Sequence, residues 1–207
     1  MPSRDADFIR HPSKRCPWPG IEDAAYARYH DEEWGVPHAD SRRLFEKLVL
    51  EGFQAGLSWL TILKKRDAFR RAFHDFDAER IARYGAKDIE RLMNNAGIVR
   101  NRLKIEATID NARAFLALSE HTSLATFLWS QMENGPIVNR HARMADVPPM
   151  TKDSKRISKA LMKEGFRFVG PTTFYAFMQS VGMVNDHLVS CPRHKPCAKL
   201  QRDFKCP

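Results

Sequence analysis

SKRISKALMKEGFRFVGPTTFYAFMQSVG, running from Ser154 to Gly182, reads as a helix, a short apolar hairpin and a second helix, with Gly165 and Gly170 bracketing FRFV. Thr151 precedes the first helix as an N-cap candidate and Gly165 follows it as a stop. Gly170, Pro171 and Thr172 open the second helix, where backbone N–H groups and the helix dipole make a site for an anion such as a DNA phosphate. Contacts of that kind position a duplex without reading its sequence. Gly165, Arg167, Gly170 and Thr172 are therefore the candidate DNA-backbone residues, although an Arg in a hairpin can equally be a solvated one. The segment as a whole, about 152–182, looks like a helix-hairpin-helix element.

Outward from that segment the helical period dominates, and no stretch sustains the apolar–polar alternation of exposed strands, so the expected fold class is all-α. Helices are predicted at Glu22 to Glu33, Ser41 to Gly56, Ser58 to Phe73, Ala78 to Tyr84, Lys87 to Asn94 and Asn101 to Ser119. Others are predicted at Ser123 to Met132, Lys152 to Lys163 and Pro171 to Val181, with a turn around His187. Asp40 and Asp77 are further N-cap candidates. In the helix from Asn101, the positions Ile105, Ile109, Ala112 and Leu116 step by four, three and four, as a core-facing stripe should. The Gly- and Pro-bearing stretch Asn134 to Pro149 is the best loop or lobe boundary. The expected organisation is a basic, flexible arm at 1–15, one domain of two helical lobes at 16–191, and a tail at 192–207.

Thirty-four Lys and Arg against 25 Asp and Glu give a formal charge of +9, which leans toward a polyanionic partner without requiring one. A hydrophobic fraction of 43% excludes a disordered chain. No apolar run approaches the roughly 20 residues needed to cross a bilayer. The N-terminus lacks a signal-peptide core, so the cytosol is the expected compartment. A monomer is the simpler expectation.

Four cysteines in such a chain point to thiols or metal rather than disulfides. Cys16 and His30 lie near one end, and His187 and Cys191 lie near the other in VNDHLVSC, where four-residue spacing on a helix would share a face. Two thiolates and two imidazoles suit tetrahedral Zn²⁺, and a site filled by protein ligands is structural. A rival set is Cys191, His194 and Cys197 with Cys206 or His11. Asp186 is either an outer-shell acceptor for an imidazole or a surface carboxylate.

In DSRRLFEKLVLEGFQAGLSW, Leu44, Leu48, Glu51 and Ala55 follow helical spacing, which turns Glu51 toward the core. An inward carboxylate is normally paired, hydrogen-bonded or kept for function. Trp59 starts the next helix, and Tyr26 and Tyr29 precede His30 on another. Aromatic rings beside a carboxylate can receive a flat, cationic base, whereas core packing is the alternative fate of each ring.

RYHDEEWG at Arg28 to Gly35, LEGFQAGLSWLTILKKR at Leu50 to Arg66, AGIVRNRLKI at Ala96 to Ile105 and FVGPTTFYAFMQSVGMVNDH at Phe168 to His187 together resemble the 3-methyladenine DNA glycosylase I family. The resemblance spans about Cys16 to Cys191. It implies a helix-hairpin-helix glycosylase with a structural zinc on Cys16, His30, His187 and Cys191. It also implies an extruded base lodged among Glu51, Trp59, Tyr26 and Tyr29. Related glycosylases carry a catalytic Asp before a His after the hairpin, where this chain has Asn185, so Glu51 is the acidic candidate. NRHARMADVPPM and the tail after Cys191 depart from the family pattern.

The activity so implied is hydrolysis of the N-glycosidic bond of 3-methyladenine in alkylated duplex DNA, releasing the free base and leaving an abasic site. One rival is a zinc-stabilised DNA-binding module without catalysis. Another is a zinc deaminase, which needs an open metal position and a P-C-x-x-C partner that this chain lacks.

Overall fold

The computed structural model of the protein describes residues 14–207, so the expected arm falls outside the described residues apart from Lys14 and Arg15, and so does His11. The chain divides into two compact units. The first gathers the described residues up to His38 with Met132–Pro149 and Met178–Lys205; the second gathers Ala39–Gln131, Met150–Phe177 and Cys206–Pro207.

The elements in order are α1 (Ala24–Glu32), α2 (Ser41–Gln54), α3 (Trp59–Ala72), α4 (Ala78–Ala82), α5 (Ala86–Met93), α6 (Arg102–Ser119), α7 (Leu124–Ser130), β1 (Ile137–Val138), α8 (Lys152–Lys163), α9 (Pro171–Ser180), β2 (Val184–Asn185) and α10 (His194–Asp203). Short side chains set several starts. Asp40 accepts from Arg43 N at 2.9 Å, Asp77 from Arg80 N at 3.1 Å and Thr151 Oγ1 from Ser154 N at 3.1 Å, as their positions in the sequence predict. Gly165 ends α8 at φ +89°, and Phe166 N donates to Leu161 O to close the turn.

In the second unit α6 packs against α2, α4, α5 and α7. Ile105, Ile109 and Ala112 are buried as the stripe predicts, while Leu116 lies half-buried at its edge. Phe53 meets Phe69 at 4.7 Å between ring centroids and Phe45 meets Phe115 at 5.2 Å. Burying such a side chain is worth roughly 1.5–3 kcal/mol. A charged residue on the same faces therefore needs a different reason to be there, and both Glu51 on α2 and Lys104 on α6 are buried.

Two elements correct the sequence expectation. The class is mostly helical rather than purely so, because β1 and β2 pair in parallel, with Ile137 opposite Val184 and Val138 opposite Asn185. Runs of two residues are too short to display a period. The stretch after Cys191 forms α10, which buries His194, Cys197 and Gln201 on one face. Pro196 falls in its first turn, where a missing N–H costs nothing.

The first unit depends on one close approach. Gly182 lies at φ +73°, and a β-carbon there would sit 2.3 Å from Pro37 N and 2.6 Å from Val36 C. Beside it, Gly35 N donates to Gln179 O at 3.1 Å. Gly182→Ala combines left-handed strain with a backbone collision, and we expect it to cost about 3 kcal/mol or more in urea unfolding. A loss below about 1 kcal/mol would show that the contact yields easily.

Candidate metal centre and base site

Cys16, His30, His187 and Cys191 meet in the first unit, all buried, with their ligand atoms within 4.8 Å of one another. His30 comes from the last turn of α1. The other pair is placed by a turn, not by the helix face that the spacing suggested. His187 N donates to Asn185 Oδ1, an Asx-type bond that competes with helix, and Cys191 N donates to Leu188 O at 2.8 Å.

Cys191 Sγ lies 3.5 Å from His187 Nδ1 and 3.6 Å from His30 Nε2, and Cys16 Sγ lies 3.8 Å from His187 Nδ1. A tetrahedral ion bonded at about 2.3 Å to sulfur and about 2.0–2.1 Å to nitrogen requires edges of about 3.6 Å. The donor set therefore fits such an ion in chemistry and in size. Both imidazoles are also oriented from outside. His30 Nδ1 bonds Asp31 Oδ1 at 2.8 Å, and His187 Nε2 bonds Trp34 O at 3.0 Å, which turns the remaining nitrogens toward the sulfurs.

Charge follows this geometry. Hydrogen bonding to Cys191 and burial push the Cys16 thiol up, while the bonds Cys191 accepts from Cys16, His187 and His30 hold its own thiol far below the usual range. Burial opposes the ionisation of Asp31, but its bonds to His30 and Arg15 prevail and lower it to about 2. Burial lowers His187.

The rival ligand set does not assemble. His194 Nε2 bonds Asn139 O at 2.8 Å, Cys197 Sγ faces Trp34 O, and Cys206 is exposed. Asp186 is neither a surface group nor the acceptor for an imidazole ligand. It is fully buried, accepting from Asn139 Nδ2 at 2.6 Å and Gln179 Nε2 at 2.7 Å, with His141 Nε2 at 3.3 Å. The carboxylate orienting His30 is Asp31, the next residue in the chain.

Tyr26 and Tyr29 lie on α1 with centroids 6.4 Å apart, and Trp18, which sequence reasoning missed, sits 5.1 Å from Tyr26 and 4.8 Å from His30. Its only local signal is the Pro-flanked CPWPG following Cys16. Glu51 and Trp59 lie in the second unit. Glu51 is 3% exposed on α2, and Trp59 opens α3 with the Lys47 ammonium 4.3 Å from its ring centroid. Between them the corner at 55–58 carries Gly56 at φ +81° and an exposed Leu57.

The hairpin occupies the same unit. Gly165, Arg167 and Thr172 are exposed, Gly170 is half-buried, and its carbonyl accepts the first hydrogen bond of α9 from Phe174 N. Arg167 pairs with Asp110. Phe168 takes φ +55°, and a β-carbon at Gly52 would come within 3.2 Å of Phe168 Cβ, so Gly52 lets the hairpin seat one residue beyond Glu51.

Comparison with known proteins agrees with this arrangement. A methyladenine glycosylase family profile matches residues 18–194. A Haemophilus influenzae protein named DNA-3-methyladenine glycosylase is 52% identical over 179 residues, covering 86% of this chain and 96% of the relative. A crystal structure of 3-methyladenine DNA glycosylase I aligns with TM-score 0.85 at 50% identity, covering 87% of this chain and 99% of the other. A single-site variant of a 3-methyladenine DNA glycosylase I, solved in complex with 3-methyladenine, aligns with TM-score 0.81 at 39% identity over 84% of this chain and 95% of the other. The class so defined is a mostly helical base glycosylase. The chain belongs to the methyladenine glycosylase family, and the relatives it matches there are 3-methyladenine DNA glycosylases.

Asp186→Ala would leave the Asn139 and Gln179 amides without their buried acceptor. Each orphaned buried group costs about 1–3 kcal/mol, so we expect a loss of about 2–5 kcal/mol in chemical unfolding, with Asp186→Asn recovering part of it. A near-neutral alanine variant would remove Asp186 as an anchor of the 134–149 segment.

Proposed function

We propose that this protein excises 3-methyladenine from alkylated duplex DNA by hydrolysing its N-glycosidic bond, with Glu51 as the catalytic carboxylate. The observation that carries this reading is Glu51 itself, almost fully buried on an otherwise apolar helix face. Even a well-paired buried carboxylate does no more than break even against an apolar side chain of similar size. Stability alone gives no reason for Glu51, whereas recognition of a cationic base does.

Methylation at N3 makes adenine a cation whose bond to the sugar is weakened, so departure needs modest assistance. The lesion flips out of the stack at lower cost than a normal base. Glu51 accepts hydrogen bonds from the base edge and stabilises positive charge as the sugar becomes cation-like. Trp59, in the same unit as Glu51, provides an aromatic face for the base.

The hairpin and the N-terminus of α9 act as a helix-hairpin-helix element on the DNA backbone, through Gly165, Gly170 and Thr172. Electrostatics supports the same partner. Several exposed arginines are held in local ion pairs, as with Arg80 and Asp77 or Arg91 and Asp88. Lys152, Lys155, Lys159 and Lys163 are exposed along α8 with no ion-pair partner among the described residues, leaving their charge available to phosphates. Cys16, His30, His187 and Cys191 would hold Zn²⁺ in a purely structural role, since protein ligands fill all of its tetrahedral positions.

Release of free base from methylated duplex DNA under single-turnover conditions tests the activity. We expect selective 3-methyladenine release by wild type and a loss of roughly 10²–10³-fold in Glu51→Gln. Full excision by the variant would exclude Glu51 from catalysis. Metal analysis should find one zinc per chain, lost together with thermal stability in Cys16→Ser and Cys191→Ser; a folded, stable wild type without metal would refute the structural zinc.

A further inference from the structure

Buried polar residues on α6 are not explained by the core stripe of that helix. Lys104 is 8% exposed, and its ammonium donates to Phe53 O at 2.9 Å and Ala55 O at 2.6 Å. These carbonyls end α2, where a helix leaves acceptors without internal partners and a cation complements the dipole. Burial pushes the pKa of the Lys104 ammonium down, an electrostatic cost that the two carbonyl bonds offset and ordinary apolar packing would not incur.

Asn111 is 3% exposed and grips the hairpin by its backbone: Arg167 N donates to Asn111 Oδ1 at 2.6 Å and Asn111 Nδ2 donates to Arg167 O at 3.0 Å. This satisfies both polar groups of one residue, as a strand partner would, in a segment that has no sheet to supply one. The clasp fixes Arg167 immediately before Phe168, whose left-handed backbone needs such outside support.

Lys104 and Asn111 are seven residues apart, about two turns, and so share a face of one rigid helix. Lys104, Asn111, Gly52, Phe53 and Phe168 also line one small cavity, which brings both grips and both gripped segments to the same place. We propose that Lys104 and Asn111 are positioning residues that use α6 as a spacer, fixing the end of α2, which carries Glu51, against the hairpin that holds the DNA backbone. The inference rests on the proposed excision activity and adds to it a source for the registration between carboxylate and duplex. A misplacement of about 1 Å in such a site can cost about 10²-fold in rate.

The test separates chemistry from binding. In Lys104→Met we expect the single-turnover rate at saturating methylated duplex to fall by about 10-fold or more while duplex affinity stays within about 2-fold, because the hairpin clasp is intact. In Asn111→Leu we expect duplex affinity to fall by about 10-fold, with a much smaller effect on the saturating rate. Lys104→Arg should recover most of the lost rate. Lys65→Met is the control, since Lys65 makes the same kind of bond to Ala96 O and Gly97 O and should change neither quantity.

If Lys104→Met does not fold, Lys104→Gln, which removes the charge but keeps a donor, replaces it with the same expectation. Folded variants whose rate and affinity both match wild type, whatever their melting temperature, overturn the inference and leave the activity standing. A wild type that releases no 3-methyladenine removes the activity and this inference with it.

Discussion

Cys16 and His187 are 171 positions apart, yet they meet in the dry interior of the first unit. Closing a loop of that length is entropically costly, though the cost rises only with the logarithm of its length. The junction must also accommodate two sulfurs and two imidazoles where no water can solvate a charge. The opposite displacements of the Cys16 and Cys191 thiols express that tension, because a hydrogen bond between the two sulfurs favours the proton on one and the charge on the other. A divalent cation at the centre would resolve it, replacing the shared proton with a charge that both sulfurs can face. Trp34, Gly35 and the turn at Gly182 are arranged around this point, and the outer bonds of Asp31 and the Trp34 carbonyl fix which nitrogen of each imidazole faces the sulfurs.

The second unit is organised by another constraint, the handling of buried charge. Glu51 and Lys104 both interrupt apolar helix faces. Neither is what a helical bundle selected only for stability would contain, and their separate tasks account for them. Lys104 completes the end of α2, and Glu51 is presented one turn before that end. Asn111 extends the same helix face to the hairpin. The carboxylate, the corner before Trp59 and the hairpin are thus referenced to one helix, which suits chemistry that tolerates little positional error.

The distribution of exposed charge complements this interior. Several arginines along the helices are matched with carboxylates three or four residues away, a pairing worth only tenths of a kcal/mol that nevertheless neutralises their field locally. The lysines of α8 are not matched in this way. Part of the exposed positive charge therefore stands unneutralised where α8 leads into the hairpin.

Sequence alone determined what depends on neighbours within about four residues. The caps at Asp40, Asp77 and Thr151, the stop at Gly165, the limits of α6 and α8, and the inward direction of Glu51 all follow from local hydrogen bonding and the helical period. The long ordered matches from Arg28 to His187 carried the family. Tertiary structure decided the rest. Whether Cys191 joins His187 and His30 or His194 and Cys197 depends on which segments approach in space, and spacing allowed either. Asp186 became a buried anchor only because Asn139 and Gln179 reach it from elsewhere in the first unit. Lys104 carries no local signal of its burial, because the carbonyls that receive its ammonium end α2, about fifty residues earlier in the chain. Each of these groups has at least one partner dozens of residues away, which no local pattern records.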